Sequence, residues 1–190
     1  MNPKAILPLK SIILLLVVLM MPLQILFAQS PDGLEGMQMP GFKLSDLQGN
    51  EVNSKSFQGN YLVIHIATTW CPFCNAEAPY LEQLNQEYKD RNVEVLIIDV
   101  KEPKELVQDK LQNRFNLSFP VLLDPDGTVA ASFAPEDVLP DLARDEVMLA
   151  SNILVDPEGK IQFLSLLDSK NFDAKLVGLR AKLDALLADQ

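Results

Sequence analysis

Only two cysteines occur in this chain of 190 residues, and they stand three apart in Trp70-Cys71-Pro72-Phe73-Cys74. A C-x-x-C pair has three chemistries open to it: half of a zinc site, a structural staple, or a thiol–disulfide exchange centre. Zinc wants four ligands, mostly Cys and His. The chain offers two Cys and a single His, His65, outside the usual finger spacing, so no metal site is expected. A staple across so short a loop removes little chain entropy, of order 2 kcal/mol in the loop-closure picture, which is a poor reason to place the only bridge there. Exchange chemistry leads, and it needs no cofactor besides the sulfurs.

The flanks decide how those sulfurs are presented. Tyr61-Leu62-Val63-Ile64-His65-Ile66-Ala67 reads as a buried strand, and residues 75–90 as a helix with Ala78, Leu81, Leu84 and Tyr88 at helical spacing. The motif thus falls on a strand-to-helix junction. There a thiolate at Cys71 faces free backbone N–H groups and the positive end of the helix dipole. Thiols so placed titrate between about 3.5 and 7.5, against about 8.5 for a free one. Pro72 suits the first helical turn, where a missing N–H costs nothing. Cys71 is therefore expected to be the exposed nucleophile. Cys74, one turn further in and less exposed, is expected to be the resolving thiol that ejects the partner from a mixed disulfide.

The run Thr68-Thr69-Trp70-Cys71-Pro72-Phe73-Cys74-Asn75-Ala76-Glu77-Ala78-Pro79 resembles the active-site region of TlpA/ResA-like thioredoxin-fold proteins of the redoxin (AhpC/TSA-like) superfamily. Residues 40–52 are similar to the opening hairpin of that group, and residues 152–161 to its late strand and turn; the likeness covers nearly all of 39–188. It implies an α/β, thioredoxin-like fold, with a central mixed sheet flanked by helices, an N-terminal hairpin and a redoxin-type extra helix. It also implies an enzyme that exchanges disulfides with protein thiols of a redox partner through a Cys71–Cys74 disulfide. Trp70, Pro72, Phe73 and Ala150 would then meet the partner chain.

The same resemblance picks out further residues. Glu77 corresponds to an acid that sits close to the active site in ResA-like members, with a solvent-facing helix residue as the plainer reading. His65, six before Cys71, stands where thioredoxin-like proteins hold a buried Asp or Asn beneath the sulfurs. It is a candidate proton relay for Cys74, since imidazole titrates near neutrality; the bland alternative is a hydrogen-bonded core histidine. Pro79 is expected to kink the helix.

One departure stands out. Thioredoxin-fold enzymes place a cis-proline opposite the cysteines, and here the matching residues are Leu149-Ala150-Ser151-Asn152. Non-proline cis bonds are very rare, so the bond before Ala150 is expected to be trans and this loop to face the cysteines with ordinary backbone. Peroxiredoxins also lack that proline, which raises a thiol-dependent peroxidase as the rival activity. A site like theirs needs Pro where Ile64 stands and an arginine near Ala150; Thr68 alone matches. A non-catalytic redox-sensing binding domain is the third reading.

Residues 1–28 carry Lys4 and Lys10 but no acid, then an apolar stretch from Ile12 to Met21, Pro22, and small Ala28. This is the form of a secretory signal peptide, or of an uncleaved N-terminal anchor if the apolar stretch is counted on to Phe27 towards the ~20 residues of a span. Either places the rest in an exported, oxidising space, the bacterial periplasm, with membrane contact only if the segment is uncleaved. Residues 29–40 read as a flexible tether and 41–190 as one domain, taken as a monomer. The net charge of −10 becomes −12 without the leader, which argues against nucleic acid as a partner.

Within the domain, 44–47 and 51–53 form a hairpin, followed by a strand at 62–67, a helix at 74–90 and a strand at 93–100. A helix at 103–115 and a short strand at 119–123 come next. Strands at 152–155 and 160–166 and a helix at 172–188 close the chain. Residues 130–149 suggest one or two short helices near the active-site rim.

Overall fold

A computed structural model describes residues 33–188; the leader or anchor read at 1–28 and the first part of the tether lie outside the described residues. The elements are β1 (Lys43–Asp46), β2 (Glu51–Asn53), β3 (Tyr61–Ala67), α1 (Pro72–Tyr88), β4 (Val93–Val100), α2 (Lys104–Val107), β5 (Val121–Asp124), α3 (Thr128–Ser132), α4 (Arg144–Val147), β6 (Ser151–Val155), β7 (Ile161–Ser165) and α5 (Val177–Ala188). Among the described residues all seven strands join one sheet in the order β2-β1-β5-β4-β3-β6-β7. The central β5, β4 and β3 are parallel, and the flanking pairs are antiparallel. This is the mixed sheet with helices that the sequence implies.

Strand alternation sorts the core into two faces. Val63, Ala67, Val95 and Ile97 point to the face covered by α1 and α5, where they meet Leu81, Leu84, Leu179 and Leu183. Leu62, Ile64, Ile66, Leu96 and Ile98 point to the other, against Phe133 and Met148. Each such fully buried Val, Leu or Ile side chain contributes about 1.5–3 kcal/mol. With both faces covered, β3 is buried along its whole length, which is why it reads as an apolar run. The same alternation puts three polar residues on the α1 face: His65, Asn152 directly opposite it on β6, and Asp99 beside Ala67 on β4.

Several boundaries move for local reasons. Helix α1 begins at Pro72 with Cys71 as its N-cap and runs through Pro79 without ending. β5 begins at Val121 because Pro120 has no N–H for a ladder; its carbonyl accepts from the Ile97 N–H at 3.1 Å. α2 holds only four residues before widening into a π-helical turn, Gln108–Asn113, with Val107 and Leu111 still buried. α5 starts later than expected. A turn intervenes, with Leu176 at φ 58°, the Leu176 N–H donating to the Asp173 carbonyl, and Asp173 Oδ2 accepting from the Gly178 N–H at 2.9 Å. The 130–149 stretch holds the end of α3 and the whole of α4, two short helices that pack on each other.

The C-terminal end of the stretch read as a tether is hydrogen-bonded to the last hairpin. The Gly36 N–H donates to the Ile161 carbonyl at 2.7 Å, the Ile161 N–H to the Met37 carbonyl at 2.9 Å, and the Met39 N–H to the Gly159 carbonyl at 2.9 Å.

Candidate active site

Cys71 caps α1 in an extended conformation, φ −72° and ψ 115°, and its Sγ accepts the Cys74 N–H at 3.2 Å. It thereby takes up one of the donors that the first turn of a helix leaves free. Both cysteines are free thiols, and both are buried, Cys71 at 4 % exposure and Cys74 at 1 %. The exposed Cys71 expected from the sequence is corrected here. Cap geometry turns its sulfur inward onto the helix, and Trp70, 66 % exposed, takes the outer position.

The two thiols differ sharply in acidity. A hydrogen bond from the Cys74 thiol, with the N–H groups of Cys74 and Phe73, pulls Cys71 down to about 6 against the opposing effect of burial. Cys74 moves the other way. Its bond to Cys71, then burial, then the negative charge on Cys71 hold it well above the usual thiol range. Its Sγ lies 4.0 Å from the Ile66 carbonyl.

Beneath the pair lies a buried polar chain. Asn152 Nδ2 donates to Glu77 Oε1 at 2.8 Å, and Asn152 Oδ1 faces His65 Nδ1 at 2.9 Å. With its NH₂ committed to Glu77, the amide presents only an acceptor to the imidazole, so Nδ1 carries the hydrogen. Burial brings His65 down to about 4, against the bonds to Asn152 and to the Ser151 backbone. The ring is neutral at pH 7, and the 3.5 Å approach of Glu77 Oε2 to Nδ1 is no ion pair.

Glu77 is 2 % exposed, which excludes the solvent-facing alternative. Burial raises it to about 8, with the charges of Cys71 and Asp173 adding and the Asn152 bond opposing. His65 Nε2 and Glu77 Oε2 have no hydrogen-bond partner among the described residues.

The peptide bond before Ala150 is trans, as expected, since no described bond is cis. Its backbone is not ordinary: Ala150 sits at φ 60°, in the left-handed region that suits glycine. Its N–H donates to the Ile66 carbonyl at 2.9 Å, and it is 3 % exposed. Ala150 is therefore a buried residue. With Glu77, Asn152, Phe172 and Leu176 it lines a cavity of about 140 Å³. Trp70 and Pro72 are exposed, and Phe73 is half-buried with its ring 4.9 Å from that of Phe172. Asn152 escaped the sequence reading, although pairing the strands read at 62–67 and 152–155 sets it opposite His65.

Among solved structures, the secreted Mycobacterium tuberculosis disulfide oxidoreductase homologous to E. coli DsbE matches with a TM-score of 0.60 at 24 % identity, over 76 % of this chain and 95 % of that one. The thioredoxin domain of a Bacteroides vulgatus thiol-disulfide oxidoreductase matches with a TM-score of 0.57 at 23 % identity, over 77 % and 96 %. These likenesses establish the thioredoxin-like fold. In sequence, the chain is 33 % identical over 127 residues to the thiol-disulfide oxidoreductase ResA of Geobacillus thermodenitrificans, covering 67 % of this chain and 66 % of that protein. It is 29 % identical over 126 residues to ResA of Bacillus thuringiensis subsp. konkukian, covering 66 % of each. The chain thus spans about 66 % of the length of these relatives. The sequence profile described as the AhpC/TSA family matches residues 36–164, and the chain belongs to that family.

Proposed function

We propose that the protein is an exported thiol–disulfide oxidoreductase that exchanges disulfides with partner proteins through Cys71 and Cys74. The observation that carries this reading is the asymmetry of the pair: Cys71 Sγ accepts the Cys74 N–H at the start of α1 and is acidic, while Cys74 keeps its proton. The names of the ResA relatives support the same chemistry.

Cys71 thiolate attacks a partner disulfide, forms a mixed disulfide and releases one partner thiolate. Cys74 then gives up its proton and attacks the Cys71 sulfur. The Cys71–Cys74 disulfide forms, the second partner thiolate leaves, and two electrons have passed to the partner. Glu77 supplies the buried base for the Cys74 proton, while His65, held at about 4 by burial and so a neutral ring, orients it through Asn152. Glu77, at about 8, sits close enough to neutrality to take and return it. Trp70, Pro72 and Phe73 meet the partner chain, with Ala150 behind them.

Residues 41–190 act as one redoxin domain behind a leader at 1–28 and a linking stretch at 29–40. The residue types of the leader support export to an oxidising compartment, the periplasm. The described residues hold no helix long and apolar enough to cross a membrane. The deciding experiment is reduction of insulin disulfides by the reduced protein, with peroxide consumption measured beside it. Disulfide reduction without peroxide turnover is expected; the reverse result replaces this reading with a peroxidase. Mass spectrometry of the exported protein locates its N-terminus.

A further inference from the structure

The turn that leads into Cys71 is closed by the Cys71 N–H donating to the Thr68 carbonyl at 3.3 Å. Thr69, its second residue, has every polar group engaged. Its N–H and its hydroxyl both donate to Glu102, to Oε2 and to Oε1, the latter at 2.7 Å. Its carbonyl accepts from Asn75 Nδ2 at 2.9 Å. Glu102 follows β4 and Asn75 belongs to the first turns of α1, so the turn is pinned from two sides. Beside this pin lies Asp99, 1 % exposed, pushed up to about 9 by burial and then by the charge of Glu102.

Neither Thr69 nor Glu102 has a hydrogen bond to either sulfur. What they hold is the approach of the chain to the helix, and that approach sets where Cys71 Sγ meets the Cys74 N–H. We propose that Glu102 is a positioning residue for Cys71: its carboxylate, closed on Thr69, holds the Thr68–Cys71 turn so that the sulfur stays in line with the first N–H groups of α1. This deepens the disulfide-exchange reading and rests on it.

Removing Glu102 sets two effects against each other, and their sign separates them. Loss of a nearby negative charge favours the thiolate and lowers the Cys71 titration. Loss of the hold on the turn withdraws N–H donors and raises it. The measurement is the pH dependence of Cys71 alkylation by iodoacetamide in the reduced full chain, with the modified residue identified by mass spectrometry. In Glu102→Ala the midpoint is expected to rise by about one unit, which cuts the alkylation rate near pH 6 about five-fold.

Thr69→Ala keeps the charge and the backbone bond but loses the hydroxyl, so it should move the midpoint the same way by less. Glu102→Gln, neutral and able to accept from one of the two donors, should fall between. An unchanged or lowered midpoint in a folded Glu102→Ala protein overturns the proposal. Should that variant fail to fold, the absence of any upward shift in Thr69→Ala and Glu102→Gln overturns it instead. Because alkylation needs no partner, a wild-type protein that fails to reduce insulin removes the exchange reading without deciding this result.

Discussion

His65 and Asn152 stand directly opposite each other on the antiparallel strands β3 and β6, with Asn152 Oδ1 at 2.9 Å from His65 Nδ1. The same amide donates to Glu77 at 2.8 Å. One side chain therefore fixes both the tautomer of a neutral imidazole and the rotamer of a buried carboxyl. Both lie on the sheet face that carries the cysteine pair.

Replacing each thiol in turn separates their roles. Cys71→Ser should abolish reduction of insulin, and Cys74→Ser should leave a protein that accumulates as a mixed disulfide visible on a non-reducing gel. In the reduced wild type, alkylation of Cys71 should reach half its maximum rate near pH 6, while Cys74 stays unreacted. Faster modification of Cys74 would swap the two assignments.

The buried chain should be visible in pH–rate profiles. If turnover requires Glu77 as a base, the rate rises as pH climbs through about 8, and Glu77→Gln removes that rise. His65→Asn should slow release of reduced partner and displace the profile with the fold intact. Asn152→Ala strips a partner from both neighbours, at about 1–3 kcal/mol for each buried group left unbonded. Profiles identical to wild type in all three variants would return these residues to a purely structural role.

A stability measurement tests Asp99. Folded, it keeps its proton up to about pH 9; in the unfolded chain it loses it near about 4. Between those values the native state binds the extra proton. The stability owed to this acid is thus complete below about pH 4 and is lost as pH rises towards 9. Asp99→Asn stays neutral throughout. Its stability minus that of wild type should climb across this window, by at most ~1.4 kcal/mol per pH unit, in urea titrations at about pH 5, 7 and 9. A flat difference means that Asp99 is ionised in the folded protein.

Restoring a proline opposite the cysteines should be damaging. Ala150 at φ 60° cannot become proline, whose ring fixes φ near about −65°, without moving the backbone. The change also removes the N–H that satisfies the Ile66 carbonyl, a loss of about 1–3 kcal/mol before strain is counted. Thermal unfolding of Ala150→Pro is expected to show this, and Ala150→Gly to be at least as stable as wild type. An Ala150→Pro protein as stable as wild type would contradict the left-handed backbone.

The parts legible in the sequence are those governed by near neighbours. The C-x-x-C spacing, the apolar run before it and the helical spacing after it placed Cys71 at a helix start; the strand read at 119–123 took Pro120 inside it, and that residue's missing N–H moves the start to Val121. Partners distant in the chain were not legible. Glu102 reaches Thr69 across 33 positions and Asn152 reaches Glu77 across 75; nothing local in an Asn or a Glu marks such a bond. The burial of Cys71 was hidden for a related reason, because an N-cap fixes a rotamer that composition does not reveal. Left-handed Ala150 and Leu176 have no sequence signal, since neither is a residue type that favours that backbone.

β7 is an outer strand of the sheet, and the bonds from Gly36, Met37 and Met39 fall on the beginning of its hairpin, at Gly159 and Ile161. An uncovered strand margin offers its N–H and C=O groups to any extended chain that drifts past, which is how sheets of separate molecules join into aggregates. The short stretch ahead of β1 therefore serves as a selvedge: it occupies the Ile161 donor and acceptor from within the same molecule and keeps that end of β7 from being extended by a stranger.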